Sequence, residues 1–296
     1  MALATSAYLW WGLVPIYWKQ ITWVPPAEAQ IPRILWTLIL LLCVARASGR
    51  RAETWTQDRR AWIGSIVSGL LLAGNWCLFV YAVQTDRVLA ASLGYYINPL
   101  VSVLLGLIVL GERTNRAQTI AIAVAALGVG ALTLRAGELP WISLVLAVTF
   151  ALYGLIHKLQ PQPPIAGLTR EMLVLTPPAL FATGVLAWSD DAVLLGASPG
   201  LHLYLALSSV VTAVPLLLFH ATTRRLPLVA IGMLQYLAPT INLALATLLY
   251  GEPFSLGHAI GFGLVWSGLA LFAFDSLRRA RRLPGPTSKE PVLSRN

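Results

Sequence analysis

Residues 92–113 of the chain read SLGYYINPLVSVLLGLIVLGER, an apolar stretch with an Asn-Pro pair near its centre. A second stretch, GMLQYLAPTINLALATLLYGEP at 232–253, repeats it at a constant offset of 140 residues. Pro99 then matches Pro239, and Gly111-Glu112 matches Gly251-Glu252. Chance similarity between apolar sequences would give mainly Leu and Ala matches. The chain is therefore interpreted as two repeated halves.

The composition predicts an all-α integral membrane protein. Hydrophobic residues make up 57% of the 296 residues and charged residues only 11%, a balance that excludes an ordinary soluble domain. A helix of about 20 apolar residues spans the roughly 30 Å hydrocarbon core of a bilayer. We expect ten transmembrane helices, at 1–18, 29–45, 61–85, 88–110, 117–134, 139–156, 172–189, 200–220, 226–251 and 253–274.

The distribution of basic residues predicts the orientation. With the N-terminus in the cytoplasm, sixteen Lys and Arg residues fall in cytoplasmic segments and three, Lys19, Arg87 and Arg135, in outer segments, as the positive-inside rule requires. The net charge of +9 is thus attributed to orientation in the bilayer, and no nucleic-acid partner is expected. The first run is interpreted as an uncleaved helix. With ten spans and the N-terminus in the cytoplasm, the C-terminus would be cytoplasmic too.

Each half would hold five helices, and an odd number places the second half upside down relative to the first. We divide the chain into a first five-helix repeat at 1–136, a second, inverted repeat at 137–275 and a basic cytoplasmic tail at 276–296 that is expected to be disordered. Such symmetry permits inward-facing and outward-facing states of similar energy. The organisation is therefore typical of a secondary transporter that works by alternating access.

The two prolines fall near the middle of their spans, and each frees the carbonyl four residues before it. Helical spacing places one proline on a small, polar face of the fourth helix and the other on the corresponding face of the ninth. These two faces are predicted to be walls of a central cavity. One wall consists of Tyr95, Pro99, Ser102 and Gly106 and the other of Gly232, Gln235, Pro239 and Asn242, with Tyr96, Asn98 and Tyr236 at the edge. The alternative is that the prolines are structural kinks and the polar groups bond neighbouring helices.

Three other polar side chains need a partner in the membrane. Asn75 would bond either a freed carbonyl of the fourth helix or a substrate group. Arg33 either extends to the outer interface or lies in the cavity, where it would meet an anionic group such as a substrate carboxylate. Glu171, beside Arg170, is expected at the membrane interface.

The two Gly-Glu pairs, Gly111-Glu112 and Gly251-Glu252, are interpreted as tight turns in which Gly ends one helix and Glu favours the positive end of the next. Small residues at 121 and 125 in the fifth helix and at 257 and 261 in the tenth predict close packing, within or between protomers.

The sequence offers no catalytic set. It shows no intramembrane metal-binding histidine pair, no nucleophile motif and no phosphate loop. Cys43 and Cys77 both fall inside predicted helices, which supports neither a disulfide nor a zinc site. We expect no enzyme activity, no cofactor and no metal. His157, His220 or Glu171 remain candidates for proton coupling.

Several segments resemble the RarD branch of the EamA-domain proteins, in the drug/metabolite transporter superfamily: AGNWCLFVYAV, ASLGYYINPLVSVLLG, GELPWISLVLAVTFALYGLIHK, GLTREMLVL and RRLPLVAIGMLQYLAPTINLALATLLYGEPFS. The resemblance covers nearly the whole chain, from Tyr8 to about Asp275. It implies ten helices in two inverted units, location in the bacterial inner membrane, and export or exchange of small metabolites. His157 departs from the branch, which often has Arg there.

The predicted function is transport of a small amphipathic or amino-acid-like solute. Polar contacts are assigned to Asn75, Tyr95, Asn98, Gln235, Tyr236 and Asn242, aromatic walls to Tyr8, Trp11, Trp76 and Tyr153, an anion contact to Arg33, and backbone shaping to Pro99 and Pro239. The alternative is a non-transporting membrane sensor or scaffold in which the polar core only joins helices. Besides the solute and the bilayer no partner is predicted, and both a monomer and a homodimer are compatible with the sequence.

Overall fold

The fold was described from a computed structural model, which covers residues 1–49, 55, 58–85, 88–134, 141–188, 192–249 and 256–282. Within these ranges the regular structure is helical, without a β-strand. The α-helices, numbered in chain order, are α1 (Ala2–Trp18), α2 (Pro26–Ala47), α3 (Arg59–Gln84), α4 (Val88–Ile108), α5 (Arg116–Leu134), α6 (Trp141–Leu159), α7 (Pro164–Leu186), α8 (Pro199–Thr223), α9 (Leu228–Gln235), α10 (Leu237–Ala244) and α11 (Leu256–Arg282). A 3-10 helix, Lys19–Ile21, follows α1, and a π-helix, Leu245–Leu249, follows α10.

Each of the ten predicted runs overlaps a helix. The run at 226–251 overlaps two, because only Tyr236 separates α9 from α10. Among the described residues, seven helical segments are long and apolar enough to cross a bilayer, and Leu93–Ile108 is a shorter apolar segment. The helical membrane-protein fold is thus confirmed. The crossing of the bilayer by all ten runs and the inversion of the halves stay predictions.

Proline defines the start of three helices. Pro26, Pro164 and Pro199 lie in the first turn of α2, α7 and α8, where a missing backbone N–H breaks no intrahelical bond. The side chain of Ser198 caps α8 by accepting a hydrogen bond from the Leu201 amide at 3.3 Å. Pro26, Pro164 and Ser198-Pro199 therefore define where α2, α7 and α8 begin.

The helices pack mainly across the two halves. In the described part of the chain, α1 packs on α8 and α10, α2 on α7 and α8, α3 on α6 and α7, α4 on α6 and α9, and α5 on α11. In the two halves α1 corresponds to α6, α2 to α7, α3 to α8, α4 to the interrupted helix α9–α10, and α5 to α11. The set of contacts is unchanged when each helix is exchanged for its counterpart. The contact of α1 with α8, for example, becomes that of α6 with α3. The two halves therefore share one core.

The closest backbone approach joins α5 to α11. A Cβ on Gly268 would lie only 2.5 Å from the carbonyl oxygen of Ala121, and one on Gly128 would lie 2.6 Å from that of Gly261. Real Cβ atoms do not come so close to backbone, so both positions require glycine. Of the small residues predicted to pack closely, Ala121 and Ala125 lie against Gly268 and Gly261 lies against Gly128, so α5 and α11 pack closely within one chain.

Replacing Gly268 by Val should destabilise the protein, because the added side chain would have to displace the backbone of α5. The matched control is Gly263→Val on the same helix, where a Cβ meets no atom within 4 Å. We expect Gly268→Val to cost about 1–3 kcal/mol through overpacking and to lower the thermal midpoint of the detergent-solubilised protein. Equal midpoints for the two variants would contradict this packing.

Candidate functional site

The contact of α4 with α9 contains a row of buried polar groups. The Oγ atom of Ser102 lies 3.2 Å from Asn98 Oδ1 and 3.1 Å from Gln235 Oε1, and its one proton is donated to one of these oxygens at a time. Asn98 and Gln235 are 8% and 7% exposed. A Cβ on Gly232 would lie 2.7 Å from the Pro99 carbonyl oxygen. At this level the two faces that were predicted to be cavity walls therefore pack against each other, because their residues are small.

The two prolines act differently on their helices. α4 continues through Pro99, whereas the second helix stops at Gln235 and begins again at Leu237. Pro239 consequently lies in the first turn of α10, where its missing N–H is not needed. The Tyr96 hydroxyl donates to the Pro239 carbonyl at 3.3 Å. Only the second proline interrupts its helix.

Three buried polar atoms of predicted site residues lack a hydrogen-bond partner in the part of the chain that the structure describes. They are the hydroxyls of Tyr8 and Tyr236 and the Oδ1 atom of Asn242. The Tyr8 hydroxyl lies close to the Gln235 side chain, without a hydrogen bond of normal geometry. Because an unpaired polar group in an apolar environment is unfavourable, a polar group of a bound solute would be stabilised here.

Asn75 of α3 bonds α6. Its Nδ2 atom donates to the Leu146 carbonyl and to Thr149 Oγ1, both at 2.9 Å. The Thr149 hydroxyl gives its own proton to the Val145 carbonyl at 2.7 Å and is therefore free to accept. The expected carbonyl of the fourth helix was wrong, because α3 packs on α6 at this depth; a contact of Asn75 with a substrate group stays a prediction.

Arg33 of α2 lies inside the helix bundle. Its Nε atom donates to Thr212 Oγ1 of α8 at 2.7 Å, and its Cζ atom lies 3.8 Å from the centroid of the Trp76 ring. It is also close enough to Tyr95 to interact with it electrostatically. The Tyr95 side chain nevertheless keeps 46% of its surface exposed. Of the two predicted positions for Arg33, the structure favours the one between the helices.

The predicted aromatic walls come together in one cluster. Trp11 has its ring centroid 5.6 Å from that of Tyr8 and 5.8 Å from those of Phe150 and Phe219. Tyr153 stacks on Phe219 with centroids 5.9 Å apart. Phe150 and Phe219 were missed because nothing in their sequence context distinguishes them from residues that face lipid. Trp76 lies instead with Arg33.

A second polar cluster surrounds Glu171 of α7, which is completely buried. Its Oε1 atom accepts from Ser68 Oγ at 2.6 Å and lies 2.8 Å from His157 Nε2. Its Oε2 atom accepts from the Tyr153 hydroxyl at 3.0 Å. The same hydroxyl lies 2.6 Å from His220 Nε2. The expectation that Glu171 lies at the membrane interface was wrong, because partners from α3, α6 and α8 stabilise the carboxylate inside the bundle.

Sequence reasoning missed this cluster as a unit. Its histidines are on separate helices, and no spacing rule joins them to Glu171. The ligand atoms of His157, His220 and Glu171 lie within 4.8 Å of one another, a set of two imidazoles and one carboxylate that suits zinc. Ser68 and Tyr153 donate hydrogen bonds to the same carboxylate, whereas His157 Nε2 makes no hydrogen bond of normal geometry among the described residues.

Glu112 caps a helix of the other half. Its Oε1 atom accepts from the Leu228 amide at 2.6 Å and its Oε2 atom from the Val229 amide at 2.8 Å, both in the first turn of α9. Gly111 has a φ of +62°, as expected for a residue that ends a helix. The prediction that Glu112 interacts with the start of the next helix, α5, was wrong, since its carboxylate binds the start of α9. Gly251-Glu252 lies outside the described residues.

Comparison with known proteins gives concordant similarities. Residues 1–134 match the EamA-like transporter family. The chain is 40% identical over 296 residues to an uncharacterized transporter of Pseudomonas aeruginosa, with 96% of each chain covered. It is 39% identical over 282 residues to the uncharacterized transporter YojE of Bacillus subtilis, with 93% of each covered, and 38% identical over 284 residues to Protein RarD of Escherichia coli, with 95% of each covered.

A solved structure titled only as the crystal structure of a protein superposes with a TM-score of 0.75. It is 18% identical in sequence and covers 94% of this chain and 98% of its own. At that identity the likeness concerns the fold alone.

Glu171→Leu should destabilise the protein strongly, because it leaves His157, Ser68 and Tyr153 buried without their common acceptor. Breaking a buried ion pair in this way costs about 3–5 kcal/mol, whereas Arg279→Gln, which removes the 58% exposed partner of Asp275, should cost about 0–1 kcal/mol. The measurement is the thermal midpoint of each purified variant. A midpoint of Glu171→Leu as high as that of Arg279→Gln would show that the network does not stabilise the bundle.

Proposed function

The chain belongs to the EamA-like transporter family, and on this premise we propose that it is a secondary transporter that moves a small metabolite across the membrane by alternating access. Its relatives in Pseudomonas aeruginosa and Bacillus subtilis are named as transporters, without a substrate. The solute that we propose is amino-acid-like or amphipathic. The protein would be located in the inner membrane of a bacterium, with both termini in the cytoplasm.

The observation that carries the proposal is the exchange symmetry of the helix contacts. Every main contact of a helix in one half has a counterpart in the other, as expected if the halves are inverted copies about an axis in the membrane plane. An inverted pair can exchange conformations between its halves, which opens the site to one side and then to the other. The matched stretches at 92–113 and 232–253, on α4 and α9–α10, support the same axis.

The proposed site lies where these helices meet α1 and α6. Asn98 and Gln235 share the Ser102 hydroxyl, so a solute that replaces this contact would separate α4 from α9. The unpartnered hydroxyls of Tyr8 and Tyr236 and the Asn242 amide supply further polar contacts. Trp11 and Tyr153, on the adjacent aromatic cluster, would cover apolar parts of the solute.

Counterflow into proteoliposomes tests the function. Vesicles preloaded with an unlabelled mixture of amino acids and small metabolites are diluted into each labelled compound at equal pH on both sides. We expect transient accumulation of at least one compound by the wild type, which a channel cannot produce. Asn98→Ala and Gln235→Ala should reduce the initial rate at least tenfold while the protein stays folded, because each removes an acceptor of the shared Ser102 contact.

The matched control is Gln118→Ala, which changes an amide outside the α4–α9 contact, at the start of α5. If both site variants exchange solute as fast as this control, the site assignment is wrong. If the wild type accumulates none of the compounds, with or without an imposed pH gradient, the scaffold interpretation replaces transport.

A further inference from the structure

Arg33 is a cation between helices, and its contacts within the described part of the chain are with neutral side chains. The ion pairs of Glu171 and Asp275 do not include Arg33. Glu28, on the same helix, accepts instead from the Leu194 amide at 2.6 Å. A charge inside a membrane protein is costly unless it is paired, and such charges generally mark a path or site for a counter-charge.

The guanidinium keeps free hydrogen-bond capacity. Of its five N–H groups, Nε is directed to Thr212 and one on Nη1 to Gln30 Oε1, at 3.0 Å. Both acceptors are neutral, so they fix the orientation of the group and leave its charge in place. The remaining donors form the planar fork that matches a carboxylate with two parallel hydrogen bonds.

Aromatic rings surround the same group. Its Cζ atom lies 3.8 Å from the Trp76 centroid and 5.9 Å from the Trp18 centroid, distances at which a cation interacts with the ring face. Tyr95, which interacts with Arg33 electrostatically, is 46% exposed, and its ring is tilted relative to that of Phe79 with centroids 6.1 Å apart. The charge therefore lies among aromatic rings, one of which, Tyr95, is partly exposed at the surface of the bundle.

The other half of the chain has a charged residue at the corresponding position, with more polar partners around it. Arg33 and Glu171 are each the eighth residue of a helix that begins with proline, α2 and α7, and these helices correspond in the two halves. Glu171 has two imidazoles, a hydroxyl of Ser68 and a hydroxyl of Tyr153 around it. Arg33 has only neutral groups.

We propose that the transported solute carries one carboxylate group, that Arg33 binds this group through its guanidinium fork, and that an apolar part of the solute lies against Trp76. This inference rests on the proposed transport function and names the class of substrate. A single positive charge balances a monoanion and leaves a dianionic phosphate ester undercompensated.

The test uses the wild-type protein in nanodiscs and the arginine-selective reagent p-hydroxyphenylglyoxal, with modification followed at Arg33 by peptide mass spectrometry. Phenylacetate and acetate are the anionic probes, phenylacetamide is the neutral probe of the same shape, and phenyl phosphate is the dianion. We expect at least tenfold slower modification of Arg33 with phenylacetate and no change with phenylacetamide. Arg116, at the exposed start of α5, is the internal reference and should react at one rate throughout.

The proposal is overturned if Arg33 does not react, if neither carboxylate slows its reaction, if phenylacetamide protects as well as phenylacetate, or if phenyl phosphate protects more strongly. Phenylacetate should also raise the thermal midpoint of the wild type and of Arg116→Gln, but not that of Arg33→Gln. Arg33→Lys should respond less than the wild type, because a lysine keeps the charge and loses the fork. An equal response of Arg33→Gln and the wild type would remove the site.

Counterflow separates this inference from the function on which it rests. Protection of Arg33 by phenylacetate without exchange of any labelled solute would contradict transport and leave the carboxylate site standing. Exchange of a solute at the same rate by the wild type and Arg33→Gln would leave transport standing and remove Arg33 from the site.

Discussion

The structure depends on one constraint, that a polar group between apolar helices must find its partner on another helix. Asn75 meets it with a carbonyl of α6, Glu112 with the two free amides that begin α9, and Glu171 with groups from three helices. The bonds of Asn75 and Glu112, and that of Glu171 with Ser68, join the first half of the chain to the second. The hydrophobic effect contributes little to such contacts in lipid, so packing and directed bonds hold the halves together.

The helices themselves could be predicted from the sequence, because a helix satisfies its backbone internally and apolar runs of sufficient length have few other solutions. The partners of polar side chains could not. The fourth helix was a reasonable partner for Asn75 until the packing of α3 on α6 was known, and Glu171 looked interfacial because Arg170 precedes it. Repetition of the Pro99 and Pro239 stretches was visible, but the different effect of the two prolines depends on where each falls in its helix turn.

The polar groups divide into those that are satisfied and those that are not. The Glu171 carboxylate has several partners, whereas Arg33, Tyr8, Tyr236 and Asn242 keep hydrogen-bonding capacity that the described residues do not use. A protein that only used polar groups to join helices would gain by pairing all of them. Unpaired buried atoms also occur at Thr37, His157 and Gln160, but Tyr236 and Asn242 lie on the interrupted helix that carries the repeated stretch, which is where a solute that visits transiently would be bound.

Because the helices pack across the two halves, the first half of the chain cannot make these contacts until the second half has been synthesised. Arg33 and Thr212 are 179 residues apart, so at about 5–20 residues per second the ribosome needs about 9 to 36 seconds to supply the second after the first. For that time the first helices lie in the membrane beside the insertion machinery with their polar side chains exposed to lipid. A chaperone or insertase that shields such intermediates is therefore expected to matter more for this fold than for a protein whose halves form separate cores.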